Sequence, residues 1–108
     1  MTPEAARVSL GASLLDERMP GWENRTDLTV FHIGSDTAGI LGQHYGSYWS
    51  GLDALFPNAR SGEAQQRLGV AHGFWWDMGH SPDPDAETAA LEYAWEREIT
   101  ARRQQVAA

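Results

Sequence analysis

The feature that most constrains the fold is a helical pattern in the C-terminal quarter of the chain. Its apolar and partly apolar side chains recur at helical spacing. They are Leu91, Trp95, Ile99, Arg102 and Val106. Asp83 or Asp85 can cap this helix, Pro84 suits its first turn, and Glu98 is spaced for an ion pair with Arg102. A helix with one apolar stripe requires other elements to cover that stripe.

The N-terminal segment predicts a second long helix. Thr2 can cap it, Pro3 suits the first helical position, and Glu4 complements the helix dipole. The stripe that this helix would bury is formed by Val8, Ala12, Leu15 and Met19. The sequence Met19-Pro20-Gly21 predicts the end of the helix, after which Trp22 can fold back onto it.

The middle of the chain predicts shorter elements. We expect residues 26–33 to be irregular or 3₁₀, and a helix to start near Thr37 behind a cap at Ser35 or Asp36. Glycines recur at Gly39, Gly42, Gly46 and Gly51. Each costs about 0.8–1 kcal/mol inside a helix, so we expect a break near Gly46.

A further short helix is predicted from Ser61 toward His72, with Gly73 after its end. Residues 74–84 are rich in aromatic and turn-forming residues, which is typical of a loop. We therefore predict a mainly α, single-domain fold over residues 1–108, with four or five helices of which the first and last are longest. We expect order over roughly residues 3–103 and a frayed tail from Gln104.

Composition narrows the function further. The 108 residues include no cysteine, which excludes disulfide scaffolds and thiolate metal sites, and no lysine, which excludes P-loop and Schiff-base chemistry. The net charge of −7 disfavours binding to nucleic acid. The chain shows no signal-peptide pattern and no apolar run of about 18 residues, so we expect a cytoplasmic protein without membrane contact.

Two sequence blocks resemble a known group of proteins. Residues 15–22 read LDERMPGW, and residues 40–52 read ILGQHYGSYWSGL. Together with the Ala71–Phe74 segment and the final helix, these blocks resemble small proteins of actinobacteria and their bacteriophages, over roughly residues 12–99. Members often carry a cysteine near the position of Ile40, which this chain lacks. The resemblance implies an intracellular protein of bacterial or phage origin and implies no chemistry.

Aromatic and acidic residues suggest a surface for binding another protein. Five tryptophans exceed what a core of this size encloses easily, and tryptophan often anchors interfaces. We predict a surface that includes Trp49, Trp75 or Trp76, with one of the adjacent pair in the core and the other exposed. Glu92 and Glu96 lie four residues apart on the last helix, where they would form an acidic face that steers a basic partner. Burial in a homodimer is another way to cover surplus aromatic surface.

Two other functions remain open from the sequence. Residues 47–56 occupy the position of the recognition helix of a helix-turn-helix protein, although they include no Arg, Lys, Asn or Gln to contact base edges, and Asp53 would face phosphates. His72, Asp77 and His80 are candidate ligands for a metal-dependent enzyme, but their spacing matches no metal motif. We find no catalytic set and expect no cofactor, so the favoured hypothesis is a non-enzymatic interaction module.

Overall fold

The computed structural model describes residues 1–107, which are mainly helical and contain no β-strand. The six helices in this range are α1 (Pro3–Arg18), α2 (Trp22–Arg25), α3 (Ile40–Tyr45), α4 (Tyr48–Leu55), α5 (Gly62–Ala71) and α6 (Pro84–Ala107). The predicted mainly α fold with its longest helices first and last is confirmed. The helix beyond the four or five expected is α2, a single turn that follows α1.

Helix α1 begins and ends at the predicted residues. The Thr2 hydroxyl accepts a hydrogen bond from the Ala5 amide at 3.1 Å, and Pro3 is the first helical residue. Beyond Arg18 the chain turns at Gly21, where φ is +85°, a conformation that glycine adopts without strain. Trp22 is fully buried, and its indole N–H donates to Asp16 at 2.8 Å, so it folds back onto α1 as expected.

The core lies where α6 packs along α1 and α2. Trp95 is fully buried in this core, meets the Trp22 ring edge-on at 5.7 Å, and donates its indole N–H to the Gly73 carbonyl at 2.7 Å. Gly11 allows α1 to approach the backbone at His72 closely, because a Cβ atom at position 11 would lie 2.1 Å from the His72 carbonyl oxygen. The remaining fully buried large side chains are Leu15, Ile33, Ile40, Leu41, Leu52, Leu91, Ile99 and Val8.

The segment between α2 and α3 is irregular, as predicted, and is held by side chains from the helices. Arg103 of α6 donates to the carbonyl of Thr26 at 2.5 Å, and Gln43 of α3 accepts from the Asp27 amide at 2.7 Å. The prediction that the next helix starts near Thr37 is wrong, because α3 starts at Ile40. The Ser35 hydroxyl does accept from the Ala38 amide at 3.0 Å, but it closes an isolated turn before the helix.

The remaining helix ends follow local sequence signals. The break between α3 and α4 lies at Gly46, with φ at +91°, as predicted. Ser61 caps α5, and Gly73 follows its end with φ at +74°, also as predicted. Asp83 caps α6 by accepting from the Ala86 amide at 3.1 Å. The backbone of α6 is helical to Ala107, so the segment from Gln104, for which we predicted fraying, is helical as far as the structure describes it.

Two further sequence expectations concern α6 and the membrane. The expected ion pair between Glu98 and Arg102 forms, and Arg102 also pairs with Asp16 of α1 at 2.9 Å. The hydrogen bond from Arg102 holds the pKa of Asp16 below its usual range. No helix among residues 1–107 combines the length and apolar character needed to cross a membrane.

Candidate functional site

Four aromatic side chains form a continuous row that reaches the surface, and we call it the aromatic row. Its members in order are Trp49, Tyr48, Trp75 and Trp76. The ring centroids of Tyr48 and Trp49 lie 5.8 Å apart in an edge-on contact. Tyr48 and Trp75 are stacked at 4.4 Å, and Trp75 and Trp76 are stacked at 4.8 Å. Trp49 is 51% exposed, so the row has one open end.

At the start of α4 two adjacent aromatic rings differ in burial, although they contact each other. Ser47 caps the helix by accepting from the Ser50 amide at 3.0 Å, which fixes the first turn. As a result Tyr48 points inward, at 4% exposure, and Trp49 points outward. The Tyr48 hydroxyl donates to Gln66 of α5 at 2.8 Å, and burial raises the pKa of Tyr48 above its usual range.

Arg7 of α1 fastens the Trp75 end of the row. Its guanidinium donates to the Trp75 carbonyl at 2.9 Å, to the Val70 carbonyl at 2.8 Å, and to the Glu87 carboxylate at 2.7 Å. Glu87 also accepts from the Asp77 amide at 2.9 Å. Burial alone would raise the pKa of Glu87, but the hydrogen bonds it accepts lower it overall. One cation therefore ties the loop to α1, α5 and α6.

Trp75 and Trp76 do not divide between core and solvent as we predicted. Both are half-buried, because their rings stack on each other instead of pointing apart. Trp76 packs against Gly34, where a Cβ atom would lie 2.9 Å from the indole ring. The Trp75 indole N–H donates to the sulfur of Met78 at 3.2 Å, and Met78 is itself 55% exposed. Exposed Met78 thus borders the row on the loop side.

Carboxylates lie beside the aromatic row. Asp36 accepts from the Tyr48 amide at 2.9 Å, and Asp53 is exposed one helical turn beyond Trp49. Asp77 follows Trp76 directly in the chain and pairs with His80 at 3.2 Å. Each of these three carboxylates therefore belongs to a residue next to the row in the chain, one helical turn from it, or hydrogen-bonded to its backbone.

Glu92 and Glu96 have different roles, although we predicted one acidic face. Glu92 turns toward the irregular segment, where it accepts from the Ile33 amide at 3.1 Å and from His32 at 2.7 Å. Gly34 follows Ile33 in the chain and packs against the Trp76 ring. The hydrogen bond from Ile33 to Glu92 therefore helps to position the backbone at the Trp76 end of the row. Glu96 is exposed and makes no hydrogen bond or ion pair within the described chain, so of the pair only Glu96 has a carboxylate that faces solvent unpaired.

The candidate metal ligands do not come together. The ring of His72 lies between Phe56 and Phe74, with centroid distances of 5.1 and 6.4 Å, and its Nδ1 contacts the Leu68 carbonyl at 2.7 Å. His80 and Asp77 pair with each other instead. Across the residues that the structure describes, no three His, Asp or Glu side chains are placed to hold a metal ion. The hypothesis of a metal-dependent enzyme is therefore left without the three ligands it requires.

The helix-turn-helix hypothesis also lacks a surface that could contact DNA bases. The segment we considered as a recognition helix is α4, and its buried side consists of Tyr48, Gly51, Leu52 and Leu55. Its exposed side consists of Trp49, Ser50, Asp53 and Ala54. None of these side chains makes the usual bidentate contacts to adenine or guanine, and the carboxylate would repel phosphates.

The sequence analysis did not predict that Arg7 and Tyr48 belong to the site. The outward position of Trp49 could be predicted locally, because Ser47 can cap a helix whose first two residues are Tyr48 and Trp49. Arg7 has no such signal, because its three acceptors lie 63 to 80 positions further along the chain. Comparison with known proteins adds no relative: no protein-family model, curated protein or solved structure matches this chain.

Proposed function

We propose that this chain is a non-enzymatic interaction module that binds a basic partner protein through the aromatic row. The observation that carries the proposal is the half-exposed Trp49 ring at the open end of a stacked row. Tryptophan is the residue type most often found at energetic centres of interfaces. The inner rings restrict how the row can move, which lowers the entropy cost of binding.

Charge supports a basic partner. The chain carries a net charge of −7, and the carboxylates of Asp36, Asp53 and Asp77 lie beside the row. Long-range attraction of this kind speeds encounter and selects among partners, and salt weakens it. The resemblance to proteins of actinobacteria and their phages adds a proposed source for the partner, namely a bacterial host protein whose activity the module modulates.

The test compares variants that leave the fold intact. The tagged chain is immobilised and exposed to an actinobacterial lysate at low salt, and retained proteins are identified, purified and measured by calorimetry. Trp49→Ala should weaken binding of the identified partner by roughly 30-fold or more, the loss typical of a central interface tryptophan. Leu10→Ala is the matched control, because Leu10 is 58% exposed on another helix.

The outcomes distinguish protein binding through the aromatic row from DNA binding. Equal affinity for the wild type, Trp49→Ala and Leu10→Ala would refute the aromatic row as the binding surface, as would the absence of any partner at low salt. Melting curves of the three proteins confirm that the substitutions leave the fold unchanged. Retention of labelled duplex DNA at about 50 mM salt, where phosphate contacts are strong, would favour the helix-turn-helix alternative instead.

A further inference from the structure

Helix α6 has an exposed side that no other element of the described chain covers, and we call it the α6 outer face. Its members are spaced three and four residues apart, opposite the buried stripe of the same helix. They are Ala89, Tyr93, Glu96, Arg97, Thr100, Ala101 and Gln104. This face shares no residue with the aromatic row.

Tyr93 projects from this face as an ordered knob. Its side chain is 60% exposed, which is high for an aromatic residue. Arg97 restrains its orientation, because the guanidinium donates to the Tyr93 hydroxyl at 3.1 Å and lies 5.7 Å from the ring centroid. A ring that is already restrained in solvent loses little further freedom when a partner covers it.

The same face carries a depression next to the knob. A shallow groove of about 380 Å³ is lined by Tyr93, Glu96, Arg97, Thr100, Ala101 and Gln104. Four of these residues, at positions 97, 100, 101 and 104, have the spacing of the diamond that receives a side chain in knobs-into-holes packing. Small Ala101 and Thr100 form the floor of that diamond. One helix therefore supplies both the knob and a hole for it.

The charges on this face are arranged symmetrically about one point. Glu96 is exposed and has no charged or hydrogen-bonding partner among the side chains of residues 1–105, and exposed Arg97 donates to the Tyr93 hydroxyl. A twofold axis between these two positions would place Glu96 of each copy opposite Arg97 of the other. Around the same axis Tyr93 falls opposite Thr100, within the diamond that would receive it.

We infer that the α6 outer face is an antiparallel homodimer interface, with a second copy of this chain as its occupant. The knob, the hole and the two opposite charges share one axis, which is the self-complementarity that an isologous interface requires. A parallel pairing would bring Glu96 next to Glu96 and Arg97 next to Arg97, which repel. The 24-residue helix is about 36 Å long, so the pairing can extend over most of its length.

The test is a charge exchange measured by analytical ultracentrifugation of the full chain over a range of concentrations. The wild type should approach twice the monomer mass. Glu96→Arg and Arg97→Glu should each weaken association at least tenfold, because each places like charges opposite each other. Mixing these two single variants should restore a dimer, since the mixture again pairs arginine with glutamate. Glu63→Arg, a charge reversal at an exposed position on α5, is the control and should leave association unchanged.

The orientation is tested by cysteine cross-linking, which is clean because the chain has no cysteine. Ala89 and Gln104 face each other around the proposed axis, whereas two copies of Ala89 would be about 22 Å apart along the helices. A mixture of Ala89→Cys and Gln104→Cys should form a disulfide-linked heterodimer, and neither variant should link to itself. A wild type that stays monomeric at every concentration, or rapid Ala89→Cys self-linking, would overturn the inference. Neither outcome bears on binding through Trp49.

Discussion

Replacing Arg7 with methionine tests whether one half-buried cation organises the loop that carries Trp75. In the folded chain its guanidinium donates to the Val70 carbonyl, the Trp75 carbonyl and the Glu87 carboxylate at 2.7–2.9 Å. Methionine keeps an unbranched apolar stem of similar reach, so the change removes the charge and the hydrogen bonds while preserving most of the packing.

The expected loss of stability follows from the burial of the pair. Hydrogen bonds to charged groups contribute about 1.5–3 kcal/mol each, and three are lost. The Arg7 and Glu87 side chains are 20% and 11% exposed, so water can replace part of this contribution, and Glu87 keeps its bond from the Asp77 amide. We therefore expect the free energy of unfolding to fall by about 2–4 kcal/mol, out of the roughly 5–15 kcal/mol typical of a domain.

Arg67 provides the matched control for this prediction. It pairs with Glu63 at 2.9 Å, but the two side chains are 79% and 76% exposed. Exposed pairs contribute about 0–1 kcal/mol, so Arg67→Met should change stability little. Urea denaturation followed by circular dichroism measures both variants. Equal losses in the two variants, or a loss below about 1 kcal/mol for Arg7→Met, would refute the argument from burial.

Two further predictions concern α3 and α1. Burial, and to a lesser extent the charge of Arg25, lowers the pKa of His44 below its ordinary 6.5. The folded state therefore favours the neutral imidazole. The stability that His44 contributes is present above pH 6.5 and is lost as the pH falls through the folded-state pKa. The melting temperature should fall between about pH 7.5 and 5.5, and His44→Gln should flatten this dependence; parallel curves would contradict it. Gly11→Ala should destabilise the fold by about 1–3 kcal/mol despite the gain in helix propensity, because its Cβ atom would overlap the His72 carbonyl oxygen. Exposed Ser13→Ala should not destabilise α1 in the same denaturation assay, and equal unfolding midpoints for both alanine variants would contradict the steric argument.

The helix ends were predictable because their signals are local. Thr2, Ser61 and Asp83 each accept a hydrogen bond from an amide three residues ahead, so the sequence alone contains both partners. Gly73 likewise adopts a positive φ directly after a helix. The start of α3 was harder, because Ser35 does form the expected turn but the helix itself begins later.

The candidate site was only partly predictable, since its contacts join distant residues. Exposure of Trp49 agrees with the surface we expected. The stacking of Trp75 on Tyr48 depends on how α4 and the loop meet, 27 positions apart in the chain. Glu92 has the spacing of a solvent-facing residue, yet it turns toward the Ile33 amide, which needs an acceptor. Helical periodicity does not indicate which charged side chain a distant loop will capture.

The dependence of α1 on α6 also has a consequence during synthesis on the ribosome. The Trp95 ring that packs over Gly11 lies 84 positions later in the chain, as 95 − 11 = 84. At roughly 5–20 residues per second, the interval between translation of these two residues is about 4–17 s. Throughout that time the apolar stripe of α1 lacks the cover that α6 provides in the folded chain. Chaperones that shield nascent apolar segments therefore have a defined window in which to bind this stripe.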